Sequence, residues 1–315
     1  MPPETDSHAA DLDLLAVMAV MCCYAHLQST FSSLRLVFRR ANVNFAGEKS
    51  LNAMKLKDVA DALERFAPLP LQEDWDNAGL QIGLTEAEVS GALLCLDVTE
   101  AVVDEAVATG CNLIISHHPL IFRKLRRIVG EDAVQRTVAK AIISGVAIVS
   151  MHTNLDAATG GVNYKIAEKM GLQELRFIGR EKEIDHVRGG EGVVGTLPEA
   201  LSAARFVQML KQQFGVACVQ ANELLAQPIK KVALCGGAGA MMLDAAIAAG
   251  ADAFVTGEMR YHEFFGHEQQ IQIAVIGHYE SEQYTKEIFE LILKEACPDV
   301  RCVCSRVNTN PIVYL

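Results

Sequence analysis

The chain has 315 residues, of which 50% are hydrophobic and 21% are charged, and its formal net charge is −11. This length and apolar content are sufficient for one large or two small folded domains with a substantial core. The acidic balance argues against binding of a nucleic-acid phosphate backbone, so a nucleic-acid partner is disfavoured.

Residues 1–53 differ in composition from the rest of the chain. The apolar run from Leu12 to Leu27 is too short and too interrupted for a membrane span, and the acidic residues before it do not fit a signal peptide. The serine-rich basic stretch that follows is only weakly similar to a transit segment. We therefore interpret residues 1–53 as an N-terminal extension outside the fold, with Met54 as a plausible true start, and we expect no membrane association.

The nine cysteines are scattered along the chain, and several of them lie in apolar, strand-like runs. Free cysteine in such places behaves as a small hydrophobic residue. Their distribution does not form a disulfide framework, which favours a reducing, cytoplasmic location.

The first predicted element of the fold is an amphipathic helix in MKLKDVADALERF, which Pro68 ends. From residue 91 strand-like and helical runs alternate, and this alternation predicts an α/β fold with at least partly parallel sheets. The runs are GALLCLDVT (strand), EAVVDEAVATG (helix), CNLIIS (strand), VQRTVAKAIISG (helix) and VAIVSMH (strand).

The same order of elements returns 140 residues further along the chain. Residues 104–112 match residues 244–252, and under this offset Ser116 falls on Thr256. A third pair of segments has a slightly smaller offset, and each member is an apolar strand followed by a histidine and, four residues later, by a carboxylate. The repeat predicts two related α/β lobes that face each other. We place the first lobe at about 54–180 plus about 285–315, and the second at about 181–284.

Side chains that can bind metal follow several of the predicted strands. Ligand sites in α/β folds lie at the carboxyl ends of strands, so facing lobes can bring these side chains into one cleft. Histidines and carboxylates without thiolates suit a divalent metal such as zinc, iron or manganese. Their number suits two ions about 3.5–4 Å apart that share a bridging carboxylate or water. The candidates are His117, His118, His152, Asp156, Glu258, His278 and Glu282.

Other features allow more than one interpretation. Each of these histidines alone could be a core or capping residue. The glycine-rich loop CGGAGA, residues 235–240, could cradle a phosphate or simply form a tight strand–helix turn. The basic cluster at residues 123–127 could be a solvated face or could contact an anionic ligand. A turn is sufficient to explain Asp76 in WDNAGLQIG.

Six motifs of the chain together closely resemble a known family. They are EDWDNAGLQIG, SHHPLIF, MHTNLDAATGGVN, TGEMRYHEF, GHYESE and SRVNTNPIVYL, in this order. The family is that of the YbgI-like, or Nif-three-like, proteins with a dinuclear metal centre, whose members are commonly labelled GTP cyclohydrolase type I, second-type homologs. The resemblance runs from about Met54 to Leu315, so only the extension lies outside it.

This resemblance implies a fold of two α/β lobes with a dinuclear metal site in the cleft between them. It also implies a ring-shaped homohexamer built from dimers. His152 looks like a nearby group rather than a ligand. By matching motif, the implied ligands of the two divalent ions are His117, His118, Asp156, His278 and Glu282.

The label of the family implies a metal-dependent hydrolase that opens the guanine imidazole ring of a nucleotide such as GTP and releases formate. Glu282 is our candidate for the catalytic carboxylate, because it follows His278 by four residues and can reach the metals from the same turn. Glu258 is the second candidate. The alternative function is a non-catalytic metal carrier or regulatory scaffold, and substrate turnover would separate the two.

Overall fold

The structure, a computed structural model, describes residues 54–315, so the predicted extension at residues 1–53 lies outside the described residues. The described part contains two β-sheets with helices packed on them, and the predicted α/β class is confirmed. The helices are α1 (Leu56–Phe66), α2 (Glu100–Ala108), α3 (Ala133–Ile143), α4 (Thr153–Ala157), α5 (Val162–Lys169), α6 (Ala203–Phe214), α7 (Leu243–Ala248), α8 (His278–Glu282) and α9 (Thr285–Ala296). The strands are β1 (Gly79–Ile82), β2 (Ala92–Cys95), β3 (Leu113–Ser116), β4 (Ala147–Ser150), β5 (Gln173–Ile184), β6 (Val187–Leu201), β7 (Gln220–Ala221), β8 (Ile229–Cys235), β9 (Ala253–Thr256), β10 (Gln272–Val275) and β11 (Cys302–Cys304).

Several helices begin and end where their sequences predict. The apolar face of α1 is buried at Leu56, Val59 and Leu63. Thr99 caps α2, because its hydroxyl accepts a hydrogen bond from the Val102 N–H at 3.3 Å. None of the helices in residues 54–315 combines the length and the hydropathy that a bilayer-spanning segment needs.

The first sheet has the strand order β1-β4-β3-β2-β11. Its strands β4, β3, β2 and β11 are parallel, and β1 runs antiparallel at one edge. Both β2 and β3 are completely buried, as expected for parallel strands with both faces covered. The carboxyl ends of β2, β3 and β4 therefore lie side by side.

The second sheet has the strand order β5-β6-β8-β9-β10-β7, and its strands β8, β9 and β10 are parallel. Its register repeats that of the first sheet. Cys95 pairs with Ser116 in the first sheet, and Cys235 pairs with Thr256 in the second, so both partners are shifted by the predicted 140 residues. This agreement confirms two related α/β units, and β5 already belongs to the second sheet from Gln173 onward.

A long antiparallel hairpin of β5 and β6 forms the edge of the second sheet. The sequence patterns did not predict this hairpin. Its turn consists of Asp185 and His186, whose φ angles are 48° and 69°. Positive φ at both central residues is typical of the tight turns that match strand twist. The turn lacks the usual Asn-Gly or Asp-Gly signal, which is why the hairpin was not predicted.

The two sheets share one hydrophobic core. A single buried cluster includes Leu94 and Ile115 from the first sheet and Leu234 and Val255 from the second. Helix α9 belongs to this cluster through Phe289, which is 0% exposed, and packs against α1, α5 and β2. A close-packed interior of this kind has low compressibility. The shared core therefore fixes the carboxyl ends of the two sets of parallel strands relative to each other.

Candidate metal centre

The predicted ligands lie at the carboxyl ends of parallel strands from both sheets. His117 and His118 follow β3, and Asp156 lies in α4, just after β4. His278 is the first residue of α8 and Glu282 is the last, after strand β10 of the second sheet. A spacing of four residues places these two side chains on one face of the helix. All five predicted residues are thereby brought into one cluster.

His117 presents an unpaired nitrogen inside this cluster. Its ring is completely buried, and its Nδ1 lies 2.8 Å from the carbonyl oxygen of Met151. A carbonyl can only accept, so Nδ1 donates and Nε2 keeps its lone pair. Burial lowers the pKa of His117 to about 4, so the ring is neutral near neutral pH.

Nε2 of His117 lies 3.5 Å from Oδ1 of Asp156. Within residues 54–315, both atoms are buried and have no hydrogen-bond partner. An unsatisfied buried polar atom costs about 1–3 kcal/mol. Two lone-pair donors that face each other in this way fit a cation, which would bind both of them.

The carboxylate of Glu282 lies at the centre of the cluster. Its Oε2 is 3.0 Å from Nε2 of His118, 3.0 Å from Nε2 of His278 and 3.7 Å from Nε2 of His117. Burial raises the pKa of Glu282, but the surrounding imidazoles outweigh this effect and hold it well below its usual value. Glu282 is therefore an ionised carboxylate within reach of several nitrogen donors.

Gly237 explains how this carboxylate fits against the glycine-rich loop. Its φ angle is 56°, and a Cβ atom at this position would lie 2.2 Å from Oε1 of Glu282. Only glycine adopts such a backbone without strain and leaves this space open. CGGAGA connects β8 to α7, as the tight-turn interpretation expects, and it also makes room for Glu282.

Three of the histidines are held by carboxylates on their outer side. In each pair Nδ1 donates to the carboxylate, which leaves Nε2 directed at the cluster. This arrangement is typical of metal-binding histidines, whose outer hydrogen bond fixes the tautomer and the ring orientation. The pairs are His118 with Asp97 at 2.7 Å, His278 with Glu258 at 2.9 Å, and His152 with Asp76 at 2.7 Å.

Carboxylate partners raise the pKa of two of these imidazoles, which favours their protonated form. Burial lowers the pKa of His118, but hydrogen bonds to Asp97 and Glu282 outweigh it and raise the pKa to about 10. The same balance, with Glu282 as the main partner, raises the pKa of His278 to about 9. A metal ion binds the neutral imidazole, so it must displace these protons.

The structure also places His152 inside the cluster. Its ring centre lies 5.3 Å from that of His117 and 5.4 Å from that of His118, and one nitrogen of each ring lies within 4.8 Å of the others. The described residues offer two further groups of three donors at this spacing, one around His278 and one around Asp156. These histidines and carboxylates could therefore hold a metal ion.

The roles of Asp97 and Asp76 were not recognised in the sequence. Asp76 accepts hydrogen bonds from the backbone N–H of Thr153 at 3.1 Å and from its hydroxyl at 2.5 Å, in addition to His152. In the sequence it cannot be distinguished from an ordinary turn residue. One feature of the sequence could have identified Asp97 as a site residue. It follows β2 at the same edge of the sheet where His117 follows β3.

Comparison with known proteins agrees with the motif-based resemblance. A Clostridium perfringens protein named GTP cyclohydrolase 1 type 2 homolog is 31% identical over 264 residues, which cover 83% of this chain and 100% of that protein. The Drosophila melanogaster protein named NIF3-like protein 1 is 30% identical over 281 residues, which cover 88% of this chain and 92% of that protein. A solved structure of a Bacillus cereus protein related to NIF3 is 25% identical with a TM-score of 0.74, and the match covers 84% of this chain and 100% of that one. Residues 54–311 match the profile of the family described as Duf34/NIF3 (NGG1p interacting factor 3). The predicted family is therefore confirmed, and the chain belongs to the Duf34/NIF3 family.

Proposed function

We propose that this chain is a metal-dependent hydrolase that acts on a nucleotide such as GTP. The observation that carries the proposal is the central position of Glu282, 3.0 Å from Nε2 of both His118 and His278. A buried carboxylate among several nitrogen donors suits a bridging role between two divalent ions. The names of relatives such as the Clostridium perfringens protein support a cyclohydrolase-like reaction.

The proposed ligands of the two ions, which could be zinc, iron or manganese, are His117, His118, Asp156, His278 and Glu282. The unpaired Nε2 of His117 and Oδ1 of Asp156 support this set. When bound, such ions polarise the substrate and activate water near neutral pH. The protein's own part is to hold each imidazole in the tautomer that directs Nε2 inward.

Glu282 is the proposed catalytic carboxylate. Its proposed task is to accept a proton from the attacking water, because it is the carboxylate that lies 3.0 Å from Nε2 of both His118 and His278. Glu258, the second candidate, accepts from Nδ1 of His278 instead. Its proposed task is to orient that ring.

The test of the proposed function is turnover by metal-loaded protein. We expect GTP to be consumed with release of formate, measured by nucleotide chromatography and a formate assay. If wild-type protein with both ions bound turns over neither GTP nor any other nucleotide tested, the hydrolase proposal is wrong. The metal-carrier or regulatory-scaffold alternative then takes its place.

Replacing Asp97 by asparagine should weaken metal binding. The carboxylate of Asp97 accepts from His118 at 2.7 Å and from the hydroxyl of Thr309 at 2.5 Å, so it orients a proposed ligand without touching the metal. Loss of such an outer partner typically costs roughly 10–100-fold in affinity. The measurement is metal titration against a competing chelator.

The matched control is Asp104→Asn. Asp104 pairs with Lys140 at 2.5 Å on the surface of α2, and its side chain is 65% exposed. This variant should bind metal as the wild type does. Equal affinities for Asp97→Asn and wild type would show that Asp97 does not orient a ligand.

We further propose that the chain assembles as a homohexamer, a ring of dimers, and that residues 1–53 are not needed for this. The family match begins at residue 54, after the extension. Deletion of residues 1–53 should therefore leave both the assembly mass and the metal content unchanged, measured by light scattering and by elemental analysis. Dissociation of the oligomer on deletion would contradict this.

A further inference from the structure

A pair of exposed aromatic rings lies at the mouth of the proposed metal centre. Trp75 is 56% exposed and Phe122 is 46% exposed, although both are large hydrophobic side chains. Their ring centres are 5.9 Å apart, and each ring also lies near His152, at 6.0 Å and 6.2 Å respectively. The pair therefore connects the histidine cluster with the surface.

Side-chain hydrogen bonds fix the residues next to Phe122 and Trp75 in the chain. Asn77 donates to the carbonyl oxygen of Ile121 at 2.6 Å, and Gln81 accepts from the N–H of Ile121 at 3.1 Å. Both backbone groups of the residue before Phe122 are thereby fixed. Next to Trp75, Asp76 is fixed by its bonds to Thr153. Exposed aromatic rings on a backbone fixed in this way are suited to stacking on a ligand, because an aromatic side chain has few rotatable bonds to immobilise.

Trp75 also lines a cavity that reaches the cluster. The cavity has a volume of about 380 Å³, and its walls include His152, Asp156, His278 and Glu282. This volume lies within the usual range for small-molecule sites. A planar ring that stacks on Trp75 would thus extend toward the proposed reacting centre.

A basic loop begins immediately after Phe122. Its four cations are exposed, although the chain as a whole has a net charge of −11. Within residues 54–315 none of the four forms an ion pair, so their charges are not neutralised by neighbouring carboxylates. Unpaired cations concentrated on one loop attract an anion. The four are Arg123, Lys124, Arg126 and Arg127.

We propose that this cavity and the neighbouring basic loop together bind a ligand made of a planar aromatic ring and an attached polyanion. The ring stacks on Trp75 in the cavity, and the anion extends out of the cavity to the exposed loop at residues 123–127, which follows Phe122. A purine nucleoside triphosphate has this chemistry. The proposal rests on the proposed function for the role of the ligand as substrate. Beyond the proposed function, it assigns the residues that recognise the ring and the anion of the ligand.

Trp75 makes the proposal directly measurable, because it is the only tryptophan of the chain. We expect both guanosine and GTP to quench the tryptophan fluorescence of the metal-loaded full-length protein in a saturable way. The double variant Arg123→Gln/Arg126→Gln should bind GTP at least about tenfold more weakly, because it removes two of the four cations of the loop. Its affinity for guanosine should not change.

Trp75→Leu removes the stacking surface and should lower the affinity for both guanosine and GTP about tenfold. Calorimetry measures both affinities. The matched control for the loop is Arg176→Gln/Arg205→Gln, which removes two exposed arginines on β5 and α6 and should leave GTP affinity unchanged. Metal content and melting temperature, measured for every variant, identify any that fail to fold.

The proposal is overturned if GTP does not bind, if it binds without changing the Trp75 emission, or if the loop variant binds it as tightly as wild type. These results can be distinguished from a failure of the hydrolase proposal, because binding and turnover are measured separately. Turnover of GTP with an unchanged KM in the loop variant would contradict only the ligand assignment. Binding of GTP at Trp75 without turnover would support the assignment and contradict only hydrolysis.

Discussion

Metal-loaded protein with Glu282 replaced by glutamine is expected to lose at least about 100-fold of its nucleotide hydrolysis, the usual scale for removal of a general base. Glutamine keeps the shape that fits beside Gly237 but removes the charge at the centre of the cluster. The variant should retain at least one ion through the remaining donors. The measurements are formate release, nucleotide loss and metal content on the same preparation.

The matched control is Glu290→Gln, the same chemical change on the exposed face of α9. Glu290 contacts only Lys294 among the ion pairs of the described residues, at 3.8 Å, and should have wild-type activity when replaced. If Glu282→Gln keeps both ions and the wild-type rate, Glu282 is not the catalytic carboxylate.

The double variant His117→Ala/His118→Ala should lose at least one of the two proposed ions. It removes the unpaired Nε2 of His117 and the Nε2 of His118 that lies 3.0 Å from Glu282. Since an ion that binds only the folded state stabilises it, metal should also raise the melting temperature of this variant less than that of wild type. Elemental analysis and thermal unfolding with and without metal provide the two readouts.

Replacement of two exposed histidines that belong to none of the metal-binding groups tests whether the loss is specific. His186 and His262 are both exposed, so the variant His186→Ala/His262→Ala should keep full metal content. Circular dichroism of each metal-free variant shows whether it folds. Full occupancy in a folded His117→Ala/His118→Ala protein would contradict the ligand assignment.

The parts of the fold that follow from hydrophobic periodicity could be predicted from the sequence. The alternation of strands and helices from residue 91 predicted β2, β3 and β4. The repeat predicted that Ser116 corresponds to Thr256, and the pairing of Cys235 with Thr256 in the second sheet agrees with this. The turn of Asp185 and His186 could not be predicted, because it uses two positive φ angles without the Asn-Gly or Asp-Gly pair that usually signals such a turn.

For the candidate site, the positions of the ligands could be predicted from the sequence, but the residues that orient them could not. The topology of an α/β fold places residues after parallel strands at one edge, so His118 and His278 could be expected to meet. Which ring nitrogen faces the cluster depends on outer partners such as Asp97, and a single aspartate after a strand has several equally common roles. The position of Gly237 against Glu282 likewise depends on packing between elements far apart in the chain.

The most direct test of a dinuclear centre built from these five side chains is anomalous X-ray scattering from crystals of the metal-loaded protein. We expect two anomalous peaks about 3.5–4 Å apart that flank the carboxylate of Glu282, with the Nε2 atoms of His118 and His278 as ligands. No peak at Glu282, or metal bound only elsewhere on the chain, would contradict it.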